Sequence, residues 1–262
     1  MKALRLLVLV ILSIVIQSVA ADGSGFRFSA GLSFIGPLSK EMDTLTAGFV
    51  YDNYMENLGG ANPFSRAIAV DNMDIYPRFA PAFTVAYEQS FGRVLSVSAG
   101  LGVRSAASKL AMDQEVDSRV EYGGIAENSS GTLEISVVHE FTNLVLPIDF
   151  KFMLPTRNGG VFLAIGPEVS FLLAAKRTDD VKNTFNPDHS IHTEADIRDD
   201  YVSVGLGVGF RLGWEKRVGN HNLLLQTGYT GGLNDMAKDE IITMKNIEFS
   251  ILELGFRFNT GR

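Results

Sequence analysis

The stretch Leu252-Glu253-Leu254-Gly255-Phe256-Arg257-Phe258 puts large apolar residues at every second position, with Glu, Gly and Arg between them. A period of two describes an extended strand whose two faces meet different surroundings. The polar face is small, with isolated charges, where a water-facing strand would carry more Lys, Glu and Thr. Such a face suits the cramped interior of a narrow barrel, with the bulky face turned to lipid. The pattern predicts an all-β chain, an antiparallel up-and-down transmembrane barrel.

Seven further stretches repeat the pattern. The eight expected strands are Gly25–Ile35, Arg78–Gln89, Arg93–Arg104, Phe141–Leu154, Val161–Ala174, Tyr201–Trp214, Asn222–Gly232 and Ile247–Asn259. Each reaches the ~9–11 residues that a tilted spanning strand requires. Three connections are long (Gly36–Pro77, Ser105–Glu140, Lys176–Asp200) and the last, Leu233 to Asn246, is intermediate. Three others are tight: Ser90 to Gly92, Pro155 to Gly160, and Glu215 to His221. Long loops outside and short periplasmic turns are what a membrane barrel shows. Glu134 to Val138 also read as strand, so the fourth strand is expected to begin early and project above the membrane.

Parity sorts the side chains. Phe28, Leu32, Phe83, Val85, Leu146, Phe150, Ile165, Leu206, Val208, Leu254, Phe256 and Phe258 fall on the lipid-facing register. The opposite register carries Arg27, Glu88, Arg104, Asp149, Lys151, Glu168, Arg211, Glu253 and Arg257. A charge on the lipid face costs about 2–4 kcal/mol near the midplane, so these nine are expected inside as an ion-pair network. An eight-stranded interior is just wide enough for its own side chains, and the near balance of sign fits a plugged lumen. Arg93 and Glu248 depart from the rule at strand ends. Pro147 and Pro167 fall mid-strand, and each demands a bulge or a locally unpaired position. Phe26, Phe28, Tyr87, Trp214 and Phe258 at one end, and Tyr76, Phe79, Tyr201 and Tyr229 at the other, form two expected interfacial girdles.

The N-terminus reads as a secretory signal peptide, with Lys2 and Arg5, an apolar run Leu6 to Ile16, and Ser18-Val19-Ala20 as cleavage site. The domain reading is therefore 1–20 signal peptide and 21–262 barrel, exported to the bacterial outer membrane. Lys2 and Arg5 belong to the 23 Lys+Arg, so cleavage leaves 21 against 30 Asp+Glu, a net charge of −9. That acidity argues against nucleic acid as a partner. The chain has no cysteine, which excludes disulfides and thiolate metal sites. The expected partners are outer-membrane lipids, the barrel-assembly machinery during insertion, and an envelope protein met through the outer loops.

The segments from the fourth strand onward resemble the PorT-like outer-membrane β-barrel family. They are Leu144-Val145-Leu146-Pro147-Ile148 with Phe150-Lys151-Phe152, Gly160-Val161-Phe162-Leu163-Ala164-Ile165-Gly166-Pro167, Val204-Gly205-Leu206-Gly207-Val208-Gly209, and the closing Leu252 to Phe258. The resemblance implies an eight-stranded barrel that tolerates both prolines. It implies no single activity, although some relatives assist a protein-secretion machine.

Chemistry-bearing residues are few. His139 lies near Glu140 and Thr142, and Ser136 stands three residues away on the opposite parity, so a lipid-deacylating His/Ser pair is disfavoured. His221 falls in a turn. His189, His192 and Glu194 lie among Asp179, Asp180, Asp188, Asp196, Asp199 and Asp200, which reads as a solvated acidic loop able at most to hold Ca²⁺ weakly. Gly205-x-Gly207-x-Gly209 lies inside a strand and fails the context of a nucleotide loop; these glycines instead leave room for Arg211 and Glu168. Asn128-Ser129-Ser130 reads as a coincidental acceptor motif. No cofactor, metal or catalysis is expected. Function is expected in the outer loops, through adhesion, envelope integrity or service in a membrane or secretion complex. Their apolar residues Leu45, Phe49, Tyr51, Tyr54, Leu58, Phe64, Tyr122 and Ile125 suit partner contact. The alternatives are a narrow pore and a lipid-modifying enzyme.

Overall fold

Alternating side chains along near-continuous runs produce ten antiparallel strands in a computed structural model that describes residues 24–35, 73–122, 125–184, 188, 190–234 and 249–259. Within these, the side chains of residues 73–75, 114–131, 133 and 183 are not described. The signal-peptide segment, Glu248, His189 and the segment 36–72 with its aromatic residues lie outside the described residues.

The strands are β1 (Gly25–Ile35), β2 (Met73–Arg78), β3 (Ala80–Phe91), β4 (Leu95–Tyr122), β5 (Ile125–Thr156), β6 (Gly159–Asn183), β7 (Ile191–Asp196), β8 (Val204–Val218), β9 (His221–Gly232) and β10 (Phe249–Asn259). Eight of them close a ring in the order β1, β3, β4, β5, β6, β8, β9, β10. The seam is a continuous ladder from Gly25↔Asn259 to Ile35↔Phe249. Closure leaves no sheet edge within the ring, the condition for strands in hydrocarbon. No helix among the described residues is long and apolar enough to cross a membrane.

All three long connections carry strand where the sequence reading has loop, the first of them ending in β2. Ser105–Glu140 is not a loop: β4 and β5 stay paired from Arg104↔Asn143 out to Tyr122↔Ile125. At ~3.3 Å per residue, Ser105–Tyr122 extends roughly 60 Å past the ring. Lys176–Asp200 is also largely strand. β6 accompanies β5 as far as Leu133↔Asn183, and β7 pairs back onto it from Lys176↔Asp196 to Val181↔Ile191. β2 flanks the other side, from Arg78↔Ala107 to Met73↔Met112. An open five-stranded sheet therefore rises from one wall of the barrel. Its polar alternation and charges mimic a loop in composition, and cross-strand pairing decides otherwise.

At the opposite end two of the three turns are tighter than expected, and the first keeps its three residues but lies two positions later. They are Gly92-Arg93-Val94, Arg157-Asn158 and Gly219-Asn220. Gly219 takes φ 62°, a region open to glycine at little cost, which two-residue hairpins use. Pro147 and Pro167 are accommodated without a change of register. The β4–β5 ladder steps from Ala99↔Ile148 to Gly102↔Val145, and β5–β6 from Pro147↔Glu168 to Phe150↔Ile165. The bulge sits elsewhere, at Thr142/Asn143. Beside Pro167 the strands draw close: a Cβ on Gly166 would strike the Ile148 carbonyl oxygen.

Candidate functional site: the barrel lumen

The lumen is where the sequence concentrates charge. Because β-strand side chains alternate, one register of all eight ring strands converges on the axis. The structure buries Arg27, Glu88, Arg104, Asp149, Lys151, Glu168, Arg211, Glu253 and Arg257 there, each at most 8% exposed. It adds one carboxylate that the sequence reading had assigned to a turn. Glu215 continues the inward row of Arg211 and Gly213, is 1% exposed, and lies on β8, which runs on to Val218. Extending the parity of Arg211 by four residues would have found it. With Glu215, five cations and five carboxylates of the described residues line the lumen.

These ten groups form layers. Nearest the turns, Lys151 Nζ donates to Glu88 at 2.9 Å and to Glu215 at 2.5 Å. Arg257 reaches Glu215 at 3.1 Å and also bonds Glu88. Ser96 and Asn222 donate to Glu88 and Glu215, and Lys151 stands over the Phe162 ring, 4.7 Å from its centroid. Arg27 bridges upward, 3.8 Å from Glu88 and 3.4 Å from Asp149. Arg211 joins Asp149 to Glu168, the latter at 3.1 Å. Its guanidinium occupies space that a Cβ on Gly209 would crowd, 3.0 Å from Nη1. Glu168 receives Arg104 on both oxygens, at 2.6 and 2.9 Å, the two-point geometry that makes Arg–carboxylate pairs strong. Glu253 accepts from Gln226 and, at 3.4 Å, from Thr84.

Above the charges the lumen becomes apolar. Ile35, Ala106, Phe141, Leu172, Ala175, Tyr201 and Phe249 pack as one buried cluster. Phe141 and Tyr201 meet edge to face at 5.0 Å, and Arg104 lies 5.4 Å from the centroid of the Phe249 ring. Tyr201, expected in the outer girdle, is 2% exposed and belongs to this cap instead. A single bridge residue three positions before β8, it folds back over the mouth. Burial in the cap and the nearby Asp200 carboxylate push its phenol up to about 12.

The bulky register faces outward. Phe28, Leu32, Phe83, Val85, Phe150, Ile165, Leu206, Leu254 and Phe258 are exposed, and Leu146, Val208 and Phe256 partly so. The remaining candidates do not converge. His139 is buried and cross-strand from Ser108 and Arg177, whereas Ser136 sits on the other parity opposite Asp180. Burial and the Arg177 charge pull His139 down to about 4, so it is neutral at pH 7. His192 Nδ1 lies 2.5 Å from Asp180 and its Nε2 3.7 Å from Glu194, on the exposed β6–β7 hairpin. The Asp180 hydrogen bond and charge raise its pKa. Among the described residues no group of three or more His, Cys, Asp or Glu is placed to hold a metal. His221, expected in a turn, opens β9 and packs on Phe256 and Phe258 at 5.4 and 5.0 Å.

Residues 41–238 match the family described as outer membrane protein beta-barrel domain. The chain belongs to this family. β1 and β10 lie outside the matched range and complete the ring. The protein is thus an outer-membrane β-barrel. Among solved structures, Ail of Yersinia pestis aligns at 9% identity and TM-score 0.36, covering 91% of this chain and 100% of that one. The same protein with a heparin analogue, sucrose octasulfate, aligns at 7% and 0.33 with the same coverages. The translocator domain of autotransporter NalP from Neisseria meningitidis aligns at 9% and 0.28, covering 98% and 96%. No curated protein matches the sequence.

Proposed function

We propose that this barrel is a closed, non-catalytic scaffold that presents the raised sheet β2-β4-β5-β6-β7 to a partner outside the outer membrane, in adhesion, envelope integrity or an accessory role in a membrane complex. The observation that carries the reading is the lumen: ten charges balanced in sign, bonded in layers, under an apolar cap. Balanced pairs leave no net field to draw ions, and separating them inside a low-dielectric space costs several kcal/mol each. With the interior filled, the surface left to meet a partner is the sheet that continues beyond the ring. Rigid scaffolds commonly carry function on what they project. A PorT-like place within the family, with service to a secretion machine, is a finer version of the same proposal and rests on the motifs around Pro147 and Pro167.

The rival narrow pore draws on the buried oxygens of Ser29, Gln226 and Thr230, which have no hydrogen-bond partner among the described residues. Single-channel recording in planar bilayers separates the two: the proposal expects no steady nanosiemens current, and such a current would overturn it. Partner engagement is tested by joining β4 to β5 with a short turn between Met112 and Ile135. That variant should insert and stay heat-modifiable in gels, yet lose co-purification of the envelope protein captured by the intact chain.

A further inference from the structure

The outer wall of the barrel is not uniformly bulky. On β1 the outward row reads Phe26, Phe28, Ala30, Leu32, Phe34, so one methyl stands where its neighbours carry rings or isobutyl groups. The register brings Phe83 and Leu254 to either side of Ala30, and Phe28 beside Phe256 in the next row. Leu223 flanks Phe256 from β9. The result is a groove of about 390 Å³ across the β3-β1-β10-β9 wall, with Ala30 among its lining residues and Phe28, Phe83, Leu223, Leu254 and Phe256 around it. That volume lies within the 300–1,000 Å³ range of small-molecule sites.

Ala30 is halfway along β1, and Phe28, Phe83 and Leu254 beside it are all exposed. At this depth the surrounding solvent is hydrocarbon, and a groove without a polar side chain on its outward rows cannot orient a headgroup. We infer that this groove seats one acyl chain of a bilayer lipid, held longer than the chains that slide over the rest of the wall. The notch admits the chain beside Ala30, and the phenyl rings on both sides supply dispersion contact along its length. On the opposite wall Ile165, Leu163, Phe210 and Leu212 project as exposed bulky side chains. The inference rests on the membrane placement of the belt and not on the closed lumen.

The test uses the full chain refolded into phosphatidylcholine vesicles doped with a lipid bearing a diazirine midway along its acyl chain. After illumination, mass spectrometry reads the lipid adducts on each strand. Several-fold more adduct on Phe28, Phe83 and Leu254 than on Leu163, Phe210 and Leu212 is expected. Equal labelling of the two walls would overturn the inference. Ala30→Phe fills the notch and should bring the two walls to parity, with heat-modifiability confirming that the variant still folds. A second occupant is tested with Ala30→Cys, the only cysteine in such a chain: rapid oxidation to a disulfide dimer in vesicles would assign the groove to a second copy and overturn the lipid reading.

Discussion

Lys151 and Arg257 both lean on Glu215, so replacing that carboxylate leaves two cations short of a partner in a space without bulk water. Breaking one member out of a buried pair costs about 3–5 kcal/mol. Glu215→Gln is therefore expected to lower barrel stability by that order, read from urea unfolding in micelles. Lys151→Met together with Glu215→Leu restores the balance of sign and should recover most of the loss. His139 carries a different signature. It stays neutral when folded down to about pH 4 but takes up a proton near 6.5 when unfolded. Its contribution is whole above the unfolded value and is lost as pH falls from 6.5 towards 4, because the unfolded state binds the proton first. His139→Leu should flatten that acid slope in the pH dependence of unfolding.

At the scale of the strand, alternation has a depth-dependent consequence. Leu212 projects from β8 in mid-belt at 55% exposed, and Val218 ends the same strand at 49% exposed. Equal exposure conceals unequal surroundings. Leu212→Arg should cost about 2–4 kcal/mol and Val218→Arg about 0–1 kcal/mol, measured by reversible unfolding from vesicles. Similar costs at both sites would mean that the belt does not lie in hydrocarbon. The long strands β4 and β5 lose the clean alternation above the ring, where Ala106, Ala107 and Ser108 on one and Val137, Val138 and His139 on the other are all buried. Val103 is exposed in the belt and Lys109 partly exposed above it, paired across to Val138 and Tyr76. The change from apolar to charged along β4 therefore marks where the bilayer ends, while the strand itself continues.

For the whole molecule, two independent barriers stand in series along the axis, the apolar cap and the ion-pair layers. Removing the cap alone with Phe249→Ala and Tyr201→Ala should leave the barrel without steady current, because Arg104, Glu168 and Arg211 still cross the lumen beneath it. Planar-bilayer recordings check this, and a stable open channel in that variant would show the cap to be the sole seal. The raised sheet behaves differently from the ring. Its flanking strands β2 and β7 stand outside the closed cycle, so its outer pairs are expected to exchange amide hydrogens earlier than the seam between β1 and β10.

The ring was legible in the residues alone, because hydrocarbon and a narrow lumen impose opposite demands on successive side chains. Arg27, Asp149, Arg211 and Arg257 could be turned inward from parity without knowing a single partner. Glu215 was missed because Glu215-Lys216-Arg217 has the composition of a turn, and composition does not say where a ladder stops. The same ambiguity hid the strands within Lys176–Asp200 and most of those within Ser105–Glu140, where Glu134 to Val138 alone read as strand and β5 does begin early; the remaining polar alternation reads as loop until a neighbouring strand pairs with it. Which carboxylate meets which cation, and that Tyr201 lids the mouth, followed only from register and closure. Sequence determines which face a residue takes, since that depends on its immediate neighbours and the solvent. Only tertiary structure decides what it meets, since that depends on strands brought together from more than a hundred residues away.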